Sequence, residues 1–198
     1  MDENGHRKLT DDERQDLRDA VHVLRLGGII LYPTDTIWGL GCDATNPEAV
    51  ERIYRLKQRA ESKSMLTLMQ SFGQIERYVQ DPEDVAFELM EVADKPLTVI
   101  FPGAKGLAPN LIAEDGSVGI RLTREPFSRG LIMGLGRPIV STSANISGQP
   151  APAVFPEISK EILEGVDYVC KYRRDDLTRH APSGIIKIDK GGVFKIIR

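Results

Sequence analysis

The sequence predicts an α/β fold around a mixed β-sheet, and three observations carry that expectation. Amphipathic helix signals and short apolar strand signals alternate from one end of the chain to the other, with no repeat, low-complexity tract or composition break to mark a linker. A hairpin pattern closes the chain, so antiparallel pairs must coexist with the crossovers that strand–helix alternation builds. The 198 residues are 41% hydrophobic, which suits a single domain over 1–198 whose core needs no disulfide or metal staple.

The elements follow in order. Thr10-Asp11-Asp12-Glu13 is a capping box, and Leu17, Ala20, Val21 and Leu24 then share one helical face until Gly27-Gly28 ends it. Residues 1–9 ahead of that face read as a flexible tail. Ile29 to Tyr32 is a strand. Asn46 as N-cap with Pro47 behind it opens a second helix, with Val50, Ile53 and Tyr54 facing inward, and Met65 to Met69 is the next strand. Ser71-x-x-Gln74 and Asp81-Pro82 start two short helices, and Leu97 to Phe101 is a buried strand. Asp115-Gly116 is a turn leading into a strand from Val118 to Arg121. Pro126 begins a helix carrying Phe127, Leu131, Ile132 and Leu135, and Pro138 to Thr142 is again a strand. Ser147 to Pro156, with three prolines, is a loop. A helix near Ile158 to Leu163, a strand near Tyr168, and a hairpin of Gly184 to Ile188 and Val193 to Ile197 complete the chain.

Composition removes several function classes. The 26 Lys and Arg against 29 Asp and Glu give a net charge of −3, which argues against coating nucleic acid by bulk charge and leaves room only for a local basic groove. The longest apolar stretch, Gly28 to Tyr32, is far short of the ~18 residues of a membrane span, and Met1-Asp2-Glu3-Asn4 lacks the apolar segment of a signal peptide. A cytoplasmic protein is expected. Cys42 and Cys170 form no Cys-x-x-Cys pair and read as core residues, while His6, His22 and His180 read as surface residues. There is no phosphate loop of the Walker type, no Gly-x-Ser-x-Gly elbow and no metal-binding His spacing. Chemistry without a nucleophile or base must work by positioning and charge stabilisation, as nucleotidyl transfer does.

Three segments hold more polar groups than a fold requires, each where a strand ends or a helix starts. In Tyr32 to Gly41, an extended backbone would present Thr34 and Thr36 together, with Gly39 and Gly41 admitting a ligand; the alternative is a Thr-capped turn. Gly39-Leu-Gly41-Cys-Asp-Ala44 matches a dinucleotide fingerprint, but Pro33 to Trp38 separates strand from glycines and the helix starts only after Asn46. In Lys57 to Lys63, Lys57 and Arg59 converge if the backbone is extended, a pair suited to a triphosphate; the alternative is a solvated helix end whose cations complement the helix dipole. In Ser141 to Gly148, an extended chain lines up Ser141, Ser143 and Asn145 toward a polar ligand.

In order and spacing, Tyr32 to Ala44, Lys57-Gln58-Arg59, Ser143 to Gly148 and Pro182-Ser183 resemble the YrdC-like family of threonylcarbamoyl-AMP synthases, from about Gly27 to Arg198. The resemblance implies a twisted sheet with flanking helices and a large, open, basic cavity. It implies condensation of L-threonine, bicarbonate and ATP, with Mg2+, to threonylcarbamoyl-AMP and pyrophosphate, feeding t6A modification at position 37 of tRNA through separate transferase proteins. By position, Thr34, Thr36, Arg121, Ser141 and Ser183 would hold threonine. Arg59, Lys63, Ser117, Ser143, Asn145 and Arg198 would hold ATP, and Lys57 and Arg59 would stabilise the leaving pyrophosphate. Trp38, Lys63, Leu68, Ala151 and Gly184 depart from the family's usual residues. Two other readings stand beside this one. Arg52, Arg55, Lys57, Arg59 and Lys63 could form a strip for double-stranded RNA or tRNA, although RNA readers usually carry more aromatic side chains. The fold is also implied as one domain of hydrogenase-maturation proteins, whose acylphosphatase and zinc-finger segments this sequence lacks.

Overall fold

The computed structural model describes residues 8–60 and 65–198, so residues 1–7 of the expected tail and Lys63 lie outside the described residues. Helix α1 (Asp11–Arg25) opens on the expected capping box: Glu13 N donates to Thr10 Oγ1 at 3.2 Å and Thr10 N to Glu13 Oε2 at 2.7 Å. After β1 (Ile30–Tyr32) and β2 (Gly39–Gly41), Asn46 Oδ1 caps α2 (Pro47–Lys57) by accepting from Ala49 N. Then follow β3 (Leu66–Met69), α3 (Phe72–Tyr78), α4 (Asp84–Val92), β4 (Leu97–Phe101) and β5 (Val118–Leu122). The chain continues through α5 (Pro126–Leu135), β6 (Ile139–Ser143), α6 (Lys160–Gly165), β7 (Tyr168–Val169), β8 (Gly184–Ile188) and β9 (Phe194–Ile196).

Among the described residues the strands form one mixed sheet in the order β7-β1-β2-β6-β3-β5-β4-β8-β9. The pairs β1/β7, β3/β5 and β4/β8 are parallel, the others antiparallel, and β8/β9 is the expected hairpin. Strand β2 is not among the predicted strands, because glycines weaken strands and two of its three residues are glycine. Its place in the sheet accounts for Gly41: a Cβ there would stand 2.6 Å from Tyr32 Cε1, so a side chain would collide with the Tyr32 ring. Asp81-Pro82 precedes α4 rather than opening it; Asp81 sits at φ 46° and Glu83 occupies the N-cap position. No described helix is long and apolar enough to cross a membrane.

Side chains alternate between the two faces of the sheet. Leu31, Val99, Ile120, Val140 and Ile186 join one core with residues of α2, α3, α4 and α6, such as Ile53, Ile75, Met90 and Ile162. Tyr32, Leu68 and Ile139 join a second core with Val21 and Leu24 of α1 and Phe127 and Leu131 of α5, and Leu9 packs against it. That second face is covered only in part. Ile139, Leu68, Arg121, Thr98 and Ile185 are successive register partners across β6, β3, β5, β4 and β8, and the row passes from the core under α1 and α5 to the wall of an open cavity.

Candidate active site

The cavity has a volume of about 410 Å³ and takes its floor from β5, β4 and β8. The segment Thr36–Gly39, the end of β6, Ser183 and Arg198 form its walls. Among the described residues its lining includes three guanidinium groups, those of Arg59, Arg121 and Arg198, and no Asp or Glu side chain. Around them stand seven hydroxyl residues: Thr36, Thr98, Ser117, Ser141, Thr142, Ser143 and Ser183.

At one end, Arg121 is buried with only 3% of its surface exposed, and Asp35 supplies its counter-charge: Nη2 donates to Asp35 Oδ1 at 2.9 Å. The same nitrogen lies 3.3 Å from Thr36 Oγ1, while Arg121 Nε has no partner within the protein. That nitrogen is itself buried, and the guanidinium as a whole lines the cavity as a charged donor suited to a carboxylate. Thr34 Oγ1 donates to Ile37 O at 2.7 Å, so its single proton is committed, and in the 2.9 Å contact between the two hydroxyls Thr36 must be the donor. Thr36 therefore turns acceptor lone pairs outward. Ser141 lies on the neighbouring wall, and Ser183 Oγ meets Thr98 Oγ1 at 2.8 Å across from it. Burial holds the Tyr32 phenol far above its ordinary value, so it stays neutral beside Ser141.

Arg59, Ser117, Ser143 and Arg198 line the same cavity, Arg198 lying against Ser183. Burial lowers the pKa of Arg59 from its ordinary value. Ser117 Oγ donates to Asp115 Oδ1 at 2.5 Å, leaving that hydroxyl as an acceptor toward the cavity. Hydrogen bonds from Lys187 and Ser117 bring Asp115 down to about 2, so it is ionised at neutral pH. Arg198 is docked by its Nε and Nη2 donating to Ser183 O at 3.2 and 3.1 Å and by its own carbonyl accepting from Ile185 N at 3.0 Å.

The structure brings Thr36, Arg59, Ser117, Arg121, Ser141, Ser143, Ser183 and Arg198 to this cavity. Three expected residues stand elsewhere. Lys57 and Arg59 do not converge, because Gln58 takes a left-handed conformation (φ 50°) that ends α2 and turns the two side chains apart. Lys57 points inward: its Nζ donates to the carbonyls of Ser143 and Asn145, and its own carbonyl accepts from Ser147 N. Burial, with Arg59 nearby, lowers it to about 8. Lys57 thus holds the loop after β6 instead of facing a ligand. Asn145 spends its amide on the carbonyls of Ile146 and Gln149, and Thr34 lies behind Thr36, where Arg173 Nη1 donates to its carbonyl at 3.1 Å. Of the expected basic strip, Arg52 pairs with Asp167, Arg55 pairs with Glu51 and Lys57 is buried, while Lys63 lies outside the described residues.

Sequence reasoning missed Asp35 and Thr98. Asp35 was legible in principle, as a charge between two site threonines; Thr98 was hidden in a strand read as uniformly buried.

Fold and site together define an α/β protein with an open, arginine-lined cavity of a chemistry suited to polar, anionic ligands. The chain belongs to the Sua5/YciO/YrdC family, described as telomere recombination, which it matches over residues 22–198. It is 33% identical over 179 residues to the threonylcarbamoyl-AMP synthase of Pseudoalteromonas translucida, covering 89% of this chain and 95% of that one. A putative threonylcarbamoyl-AMP synthase of Methanocaldococcus jannaschii is 34% identical over 196 residues, covering 96% of this chain and 88% of that one. Among solved structures, Escherichia coli YciO superposes with a TM-score of 0.80 at 26% identity, over 94% of this chain and 89% of that one. Pyrococcus abyssi Sua5, complexed with L-threonine, superposes with a TM-score of 0.83 at 23% identity; the match covers 97% of this chain and 55% of that longer chain.

Proposed function

We propose that this chain is a threonylcarbamoyl-AMP synthase that condenses L-threonine, bicarbonate and ATP by nucleotidyl transfer. The observation that carries the reading is one cavity lined by three guanidinium groups, those of Arg59, Arg121 and Arg198, with Arg121 set by Asp35 and edged with hydroxyls. The names of its relatives and the threonine complex of P. abyssi Sua5 support it.

Arg121 takes the threonine carboxylate through its guanidinium, while Thr36, Ser141 and Ser183 orient the amino acid. Threonine nitrogen and bicarbonate give N-carboxythreonine with loss of water. One carbamate oxygen then bonds to the α-phosphorus, the bond to the bridging oxygen breaks, and pyrophosphate leaves with the electron pair. Charge grows on the leaving group, and Arg59 and Arg198 of the cavity lining are the cations we assign to stabilise it. Ser117, committed as an acceptor, suits an adenine or ribose donor rather than a phosphate. No protein nucleophile is needed.

Among the described residues no group of three or more His, Cys, Asp or Glu converges to hold a metal, and Asp35 and Asp115 are engaged by Arg121 and Lys187. Mg2+ therefore fits as part of the nucleotide substrate, where it neutralises phosphate charge. The product suits transfer to adenosine 37 of tRNA by separate proteins.

The test is pyrophosphate release from MgATP and bicarbonate with and without L-threonine, with mass detection of the adenylate. Threonine-dependent release with a threonylcarbamoyl-AMP mass is expected. Release indifferent to threonine, or none from folded protein, would overturn the reading.

A further inference from the structure

Gly119 is the second residue of β5, on the cavity floor, two residues from Ser117 on one side and from Arg121 on the other. Residues two apart on an extended strand share a face, so Gly119 lies between the proposed nucleotide and amino-acid ends. Its flanks are apolar: Leu66 of β3 runs beside it, Ile100 of β4 is its register partner, and both line the cavity. The result is a notch one side chain deep.

Nothing in the fold requires glycine at this position. Its φ lies outside the left-handed region, and an added Cβ would meet Thr98 Cγ2 at 3.5 Å, Leu66 Cβ at 3.6 Å and Leu66 Cα at 3.9 Å, all ordinary contacts. Gly41 contrasts with it, since there the Tyr32 ring forbids a side chain. Glycine inside a strand weakens the strand and packs nothing, so a glycine that the backbone and its neighbours do not need points to what must fit above it.

The geometry points to Gly119 as the residue that keeps room for the reacting groups themselves, the carbamate of N-carboxythreonine and the α-phosphate of ATP. The inference rests on the synthase reading above. A methyl group on that floor would leave the two ends of the cavity intact and hold the two reacting groups apart.

The experiment compares the full chain with its Gly119→Ala variant in three measurements. Thermal denaturation tests folding, calorimetry tests L-threonine and α,β-methylene-ATP separately, and pyrophosphate release tests turnover. The variant is expected to melt at or above the wild-type temperature and to bind each ligand alone with unchanged affinity. Its turnover is expected to fall about 100-fold, the loss that a displacement of about 1 Å can produce between reacting atoms. A folded variant with wild-type turnover would overturn the inference, as would a variant that fails to fold or loses affinity for one ligand alone. If the wild type itself shows no threonine-dependent release, the synthase reading fails first and takes this inference with it.

Discussion

Lys57 Nζ donates to the carbonyl of Asn145 at 2.6 Å, and through this buried bond the end of α2 holds the loop that follows β6. With the second bond to Ser143 O and the bond from Ser147 N to the Lys57 carbonyl, one residue ties down Ser143, the last residue of β6 at the cavity wall, and two positions of the loop that follows. Lys57 is a positioning residue. Lys57→Met keeps the side-chain length and takes the Nζ donor from both carbonyls, of which that of Ser143 still accepts from Asn145 N, so it should cost about 1–3 kcal/mol of stability in urea denaturation.

The same residue predicts a pH effect. Its ordinary value is 10.5 and burial lowers it to about 8, so between those values the unfolded chain holds a proton that the folded chain has released. Stability then rises with pH across that window, by an amount on the order of 3 kcal/mol at most. The wild type minus Lys57→Met difference, measured from pH 7 to 10.5, isolates this rise from other titrations. A flat difference would show that Lys57 keeps its ordinary affinity for protons.

Asp35 and Arg121 form the most buried ion pair at the cavity, with side chains 16% and 3% exposed. Removing the carboxylate by Asp35→Ala leaves a buried guanidinium without its counter-charge, an effect of about 3–5 kcal/mol on stability. Asp35→Asn retains an acceptor for Nη2 and should fold better, while raising the threonine KM more than the ATP KM. Steady-state kinetics with each substrate varied in turn checks the split.

Thr98→Val removes a hydroxyl at nearly constant shape and frees Ser183 Oγ from its 2.8 Å partner. The expected stability change is about 1 kcal/mol. A several-fold rise in the threonine KM with little change in kcat would mark Thr98 as the residue that orients Ser183; equal effects on threonine and ATP would contradict that role.

Arg59→Ala should raise the ATP KM by roughly 10- to 100-fold, the range of a lost hydrogen bond to a charged group. Arg59→Lys should recover only part of it, since an ammonium cannot engage two oxygens in a fixed fork. Titration with α,β-methylene-ATP reads the binding component directly.

What the sequence determined by itself is local. The capping box at Thr10, the Asn46-Pro47 start of α2 and the turn at Asp115-Gly116 each follow from backbone chemistry within a few residues, and each stands in the structure. Segment identity also reached the site: the polar runs after β1 and along β6 do meet at one cavity. Tertiary structure decided what no local pattern carries. Strand β2 exists because β1 and β6 flank two glycines and complete their hydrogen bonds from either side. The orientation of Lys57 turns on one left-handed residue at Gln58 and on carbonyls 86 and 88 positions away, so spacing alone could not separate a phosphate ligand from a buried clamp. Asp35 and Thr98 acquire their partners, Arg121 and Ser183, only when strands distant in sequence are brought into register, because hydrogen bonds and burial are set by neighbours in space.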